Sequence, residues 1–101
     1  MTNTIRFPSG SLSSRAAAHL YRNAIGKMLV DDSVATVTAN LDGVEYLSKS
    51  FADESIGVLV RFYGYDTLIR KLLLVGGNRD VQKSIAEAIY IRQQESLAET
   101  T

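Results

Sequence analysis

The chain contains no cysteine, which excludes disulfides, thiolate nucleophiles and cysteine-based metal sites and fits a reducing compartment. It has no tryptophan, a single proline (Pro8) and a single histidine (His19). With no cysteine and no pair of acids at ligand spacing beside it, His19 has no obvious metal or catalytic partner. Charge of one sign is also missing, because eleven Lys and Arg are balanced by eleven Asp and Glu. No net field therefore gathers nucleic acid, anionic lipid or acidic substrates. The tyrosines are not interleaved with a basic stripe, which is a second argument against nucleic acid. Long apolar runs are absent too. Nothing approaches a membrane span, and Met1 to Gly10 has no apolar core of signal-peptide length. The expectation is a soluble, cytoplasmic protein with no membrane partner, no nucleic-acid partner and no cofactor.

What remains is an ordinary globular composition, 46% hydrophobic over 101 residues, enough for one domain with a real core. Residues 1–101 read as a single domain, with a core over about 5–92 and a polar, frayed tail over 93–101. Ile5-Arg6-Phe7 alternates and then meets Pro8-Ser9-Gly10, the pattern of a short strand ended by a turn. Ser11 to Ser14 supplies caps for a helix over 15–29, whose apolar positions Ala17, Leu20, Tyr21, Ala24, Ile25 and Met28 recur at helical spacing. Val34 to Ala39 is β-branched and uncharged, as expected of a strand covered on both faces. A second helix over 51–63 is closed by Gly64. Leu72 to Val75 is another buried strand. Gly76-Gly77-Asn78 then turns into a third helix whose inner stripe is Val81, Ile85, Ala88, Ile89 and the stem of Arg92. The order β-α-β-α-β-α predicts an α/β fold on a small, mostly parallel sheet. The weak first strand is expected at an edge, where it pairs antiparallel or is covered by a partner in a homodimer.

The candidate site is the second helix. Ser50 with Asp53 three residues on has the form of a capping box, in which the hydroxyl accepts a free N–H of the first turn and the acid reaches back. Asp53 and Glu54 suit the positive end of the helix dipole. At 3.6 residues per turn, Asp53, Glu54, Gly57, Arg61 and Gly64 fall on one narrow polar stripe. A mid-helix glycine costs about 1 kcal/mol relative to alanine. On an outer stripe Gly57 either lets another backbone approach or packs under a neighbouring loop. The apolar excess at Ile56, Val60 and Tyr63 needs cover from the adjacent helix or from a second protein. Arg15 opposes the dipole of the first helix. It either binds an anion at the Ser13 and Ser14 amides or, the plainer reading, pairs with Asp53 or Glu54. Gly76-Gly77-Asn78 reads as a turn and cap, because it lacks the context of a phosphate loop.

Asn40-Leu41-Asp42-Gly43-Val44, Ser50-Phe51-Ala52-Asp53-Glu54, Asn78 to Val81 and the Ser14-Arg15 helix start together resemble the STAS-like domain family of small bacterial proteins. The resemblance covers roughly residues 13–92, with the serine-to-glutamate segment its most specific part. Asn40 stands where that pattern has an aspartate. The family is named for its similarity to anti-sigma-factor antagonists. In those, a serine at the start of the helix after a central strand is phosphorylated by a serine kinase of the histidine-kinase-like ATPase type, and the same helix docks the partner. The resemblance implies Ser50 as the matching hydroxyl, with Ser48 its near alternative, and Phe51 replaces the glycine that follows it there. The resulting expectation is a regulatory, signalling protein-interaction module, not an enzyme. It docks an ATPase or kinase through Ser50, Asp53, Glu54, Gly57 and Arg61, with Ser14 and Arg15 as an anion site. The competing expectation is a nucleotide- or phosphate-binding domain using residues 10–15 or 76–78.

Overall fold

The computed structural model describes residues 3–99; Met1, Thr2, Thr100 and Thr101, the outer ends of the expected domain and tail, lie outside the described residues. Strands β1 (Asn3–Arg6) and β2 (Gly10–Leu12) are followed by helix α1 (Arg15–Leu29), β3 (Val37–Asn40) and β4 (Val44–Leu47). Next come α2 (Lys49–Ala52), a π-helical segment (Asp53–Gly57), α3 (Leu59–Tyr63), α4 (Tyr65–Lys71), β5 (Leu72–Val75) and α5 (Arg79–Glu99). The strand and helix alternation read from the sequence is present, with β2, β4 and α4 as additions. Helix α5 continues through Glu99, past Gln93, where the polar sequence predicts fraying. Among the described residues no helix is long and apolar enough to cross a membrane.

All strand pairs are parallel. The main sheet has the order β1-β3-β5, with Asn3 opposite Val37 and Val37 opposite Leu72. The first strand is thus at an edge, as expected, but parallel to β3 instead of antiparallel. β2 and β4 form a second parallel pair, reached by two chain bends that run side by side. The bends meet where the Gly10 amide donates to the Gly43 carbonyl at 2.8 Å. Gly43 has φ +87°, a conformation that favours glycine.

The strand at residues 34–39 was expected to be covered on both faces, and here the structure differs. Val37 and Ala39 are fully buried while Thr38 and Asn40 are only half-buried. On the flanking strands Ile5, Leu72 and Leu74 share the covered face, and Thr4, Arg6, Leu73 and Val75 are exposed, so the strand at 72–75, expected to be buried, is an edge strand covered on one face only. The helices therefore form a single layer on one face. Thr38 is β-branched but tolerates water, so composition could not separate the two faces.

The core runs from β1 through α1 to α2. Phe7 stacks on Tyr21 at 4.7 Å between centroids and meets Phe51 edge-on at 6.1 Å. This aromatic cluster fixes where α2 begins. Helix α1 starts as the sequence predicts, with Ser14 Oγ accepting from the Ala17 amide at 3.2 Å. Its end is held from afar. Lys71 is buried, and its Nζ donates to the carbonyls of Leu29 (3.0 Å), Asp31 (3.1 Å) and Met28 (3.4 Å). A cation here bonds carbonyls at and just beyond the helix end, of which Met28 and Asp31 also accept backbone amides, and it sits at the negative end of the dipole. Beyond it, the hydroxyl and amide of Ser33 donate to Asp31 Oδ1 at 2.6 and 2.9 Å. Those bonds, the hydroxyl first, hold the Asp31 carboxyl below its ordinary range.

Replacing Lys71 with alanine removes charge-assisted bonds from one buried and two part-buried carbonyls and should lower stability by about 2–3 kcal/mol. Urea unfolding checks this. A loss below about 0.5 kcal/mol, the size usual for surface positions, would contradict the capping role.

Candidate functional site

The segment over 49–63 is one helix interrupted by a π turn, in which the Val58 amide donates to the Asp53 carbonyl at 2.8 Å. Its cap is Ser48, whose Oγ accepts from the Phe51 amide at 3.0 Å. Ser50 is therefore not the N-cap, and the capping box is corrected: the spacing to Asp53 matches the motif, but the helix starts two residues earlier. The cause is the β4 strand, which delivers the chain to Ser48, and the aromatic cluster, which holds Phe51 in the first turn.

The polar stripe is also corrected. An extra residue in a π turn rotates everything after it by about 100° relative to a regular helix. Asp53 and Gly57 both face α5, Glu54 faces α1, and Arg61 stands apart near Glu99. Asp53 faces α5 and accepts from Arg92, Nε to Oδ1 at 2.7 Å and Nη2 to Oδ2 at 2.7 Å. This fork-to-fork pair is the strong geometry for guanidinium and carboxylate. The hydrogen bond to Asp53 raises the Arg92 pKa above its usual value despite burial. Glu54 faces the other way, toward α1. It accepts from Arg15 Nη1 at 3.2 Å and lies 3.1 Å from His19 Nε2. The plainer reading of Arg15, an ion pair, is the one observed, and Arg15 Nη2 also donates to Ser50 Oγ at 3.3 Å. Arg61 is exposed and 3.7 Å from Glu99.

Gly57 is buried, not solvent-facing. A Cβ there would lie 2.9 Å from Asp53 Oδ1, 3.0 Å from Ala88 Cβ and 3.1 Å from the Ala88 carbonyl. The close approach expected of this glycine is real, but the approaching helix is the domain's own α5. The apolar excess is likewise covered from within. Ile56 and Val60 are buried, and Tyr63 lies over Gly26 of α1, whose Cβ would come within 2.7 Å of the Tyr63 hydroxyl. Ser55, on the π turn, is buried and donates its hydroxyl to the Phe51 carbonyl at 2.6 Å.

Two surfaces flank the start of this helix. On the α1 side Ser50 is half-buried with Arg15 and Glu54 around it. On the α5 side a cleft of about 330 Å³ is lined by Lys49, Asp53, Ser84, Glu87, Ala88, Ile91, Arg92 and Glu95. Sequence reasoning missed most of this cleft. Its signal was available, because positions 84, 87, 88, 91, 92 and 95 recur at helical spacing along α5. The other candidate loops are occupied by structural bonds. Ser14 caps α1. Asn78 Oδ1 accepts from the Val81 amide at 2.8 Å, and its Nδ2 donates to the Glu45 carbonyl at 3.2 Å. Among the described residues no group of three or more His, Cys, Asp or Glu is placed to hold a metal ion.

A family model described as a STAS-like domain of unknown function matches residues 23–82, more than half of the chain. It takes in β3, β4, the π turn and the Asn78 cap. No curated protein and no solved structure matches significantly.

Gly57→Ala gives two opposed predictions. On an exposed helix the change stabilises by about 1 kcal/mol. Against Ala88 and an Asp53 carboxylate already held by Arg92, overpacking costs about 1–3 kcal/mol. The variant should therefore be no more stable than wild type, and Gly57→Val clearly less stable. A rise in melting temperature for Gly57→Ala would contradict the buried contact.

Proposed function

The chain belongs to the STAS-like domain family, and from that premise we propose a non-catalytic regulatory module that docks a protein partner at the N-terminal end of the helix over 49–63. The observation that carries this reading is Ser50, a half-exposed hydroxyl 3.3 Å from a guanidinium, Arg15, which also holds Glu54. The partner fitting that hydroxyl is a serine kinase of the histidine-kinase-like ATPase type.

The docking edge differs from the stripe read off the sequence. Gly57 is enclosed by α5, and Arg61 stands at the far end of the helix. The accessible groups are Lys49, Ser50 and Arg15, with the Asp53–Arg92 pair flooring the adjacent cleft. That cleft offers apolar contact at Ile91 and Ala88 and charges of both signs at Lys49, Glu87 and Glu95, which suits a side chain of a protein surface.

The switch has a simple electrostatic form. The kinase transfers the terminal phosphoryl group of ATP to Ser50 Oγ; ADP leaves, and the hydroxyl proton passes to the kinase's base and then to water. The phosphoserine carries nearly two negative charges beside Arg15. A bidentate guanidinium–phosphate pair is stronger than the present single contacts to Ser50 and Glu54, so Arg15 turns from Glu54 to the phosphate. Glu54 keeps His19 as its neighbour. The helix cap, which belongs to Ser48, is untouched, so the fold survives the modification.

Incubation with such a kinase from the same genome and ATP, followed by intact mass measurement, should add one phosphate. Ser50→Ala should abolish the gain and Ser48→Ala should leave it. No gain, or a gain lost only in Ser48→Ala, removes Ser50 as the switch. Docking is read separately by calorimetry with nucleotide-free kinase, where Ile91→Glu and Glu95→Lys should weaken binding about tenfold or more. Binding that neither variant changes would exclude the cleft.

A further inference from the structure

We propose that the free edge of β5, with the uncharged groove beside it, is the interface of a homodimer in which two copies pair β5 antiparallel across a two-fold axis. β5 is an edge strand, and its sequence, Leu72-Leu73-Leu74-Val75, has none of the devices that protect such edges: no charge, no proline and no bulge. The opposite edge is blunted, because β1 ends in an exposed Arg6 and runs into Pro8.

The ladder decides which backbone groups are outward. The Val75 carbonyl accepts from the Leu41 amide at 2.7 Å, so Leu73 and Val75 address β3. The amide and carbonyl of Leu74 therefore point to the free edge. Two copies related by a two-fold through Leu74 exchange these groups directly, Leu74 N–H to Leu74 C=O in both directions. The axis stands perpendicular to the sheet, so the helix layers of both copies lie on the same side and their grooves face each other.

The groove is what makes a second copy the fitting occupant. It has a volume of about 360 Å³ between α4, β5 and α5, and none of its lining residues is charged. Ile69 and Tyr90 stand exposed on its two walls, 51% and 60% accessible, and Leu72 and Leu74 form its floor. In an isologous interface every patch near the axis meets its own copy, so a charged patch meets a like charge and an uncharged one meets apolar surface. In a chain with 22% charged residues an uncharged groove is fitted to itself. Arg79 and Lys83 stand at its margin and repel weakly across the rim. Salt screens that repulsion, so the dimer tightens as ionic strength rises.

Sedimentation velocity across a concentration series, at low and high salt, tests the proposal. The full chain should sediment as a dimer at high concentration, with a smaller dissociation constant at high salt. Ile69→Lys and Tyr90→Lys, both at exposed positions, should raise that constant about tenfold or more, with circular dichroism unchanged and melting unchanged at concentrations where the wild type is monomeric. Hydrogen exchange supplies the second reading: the Leu74 amide should exchange more slowly as dimer accumulates. A wild-type chain that stays monomeric at millimolar concentration overturns the proposal. So does a dimer that both lysine variants leave intact, or one in which Leu74 gains no protection. None of these outcomes bears on phosphorylation at Ser50.

Discussion

The contact on which the rest of the domain depends is the approach of α5 to the π turn at Gly57. With no Cβ at that position the backbone of α5 comes down onto it at Ala88. One turn further along, Arg92 then reaches Asp53 with both of its forks. The two interactions need each other. A wider helix separation would break the bidentate geometry, and an unpaired Asp53 would leave a half-buried carboxylate without its charge partner. Glycine's low helix propensity at this site is offset by packing, and the π turn lets the same few residues face both α1 and α5.

That central helix also explains why the domain manages with a sheet covered on one face. Its buried residues, Phe51, Ala52, Ile56, Leu59 and Val60, give α1 and α5 a second surface to pack on besides the strands. The helical layer thus carries part of the core that a second layer of helices carries in doubly wound folds. Among the described residues the consequence is a sheet covered on one face, with β1 and β5 at its edges, of which only β1 carries protecting residues. Two accessible surfaces result: the rim where α2 begins, and the margin of β5.

Local signals were legible wherever one residue acts on its near neighbours. Ser14 and Asn78 cap the helices that follow them, and Gly64 ends α3. The strand at residues 72–75 was visible from its branched and long apolar side chains alone. Failures came where a regular period was assumed. A wheel drawn at 3.6 residues per turn puts Asp53, Glu54, Gly57 and Arg61 on one outer stripe, whereas Asp53 and Gly57 face α5, Glu54 faces α1 and only Arg61 is left exposed. Ser50 matched a capping motif that the strand β4, unseen in the sequence, had already pre-empted at Ser48. The cleft beside Asp53 was missed because its walls come from two helices far apart in the chain.

The sequence by itself determined the order of the main strands and helices, the caps at Ser14 and Asn78, the family and the absence of cysteine chemistry, because each of these follows from residue type and spacing along a few turns of chain. Only the tertiary structure decided which way the conspicuous residues face. Lys71 reaches the end of α1 across 40–43 residues of chain, Arg15 reaches Ser50 across 35, and Arg92 reaches Asp53 across 39. Bonds of that separation are set by how helices pack on one another, which depends on the volumes of buried side chains and on a single missing Cβ. Polar spacing along one helix carries no record of either.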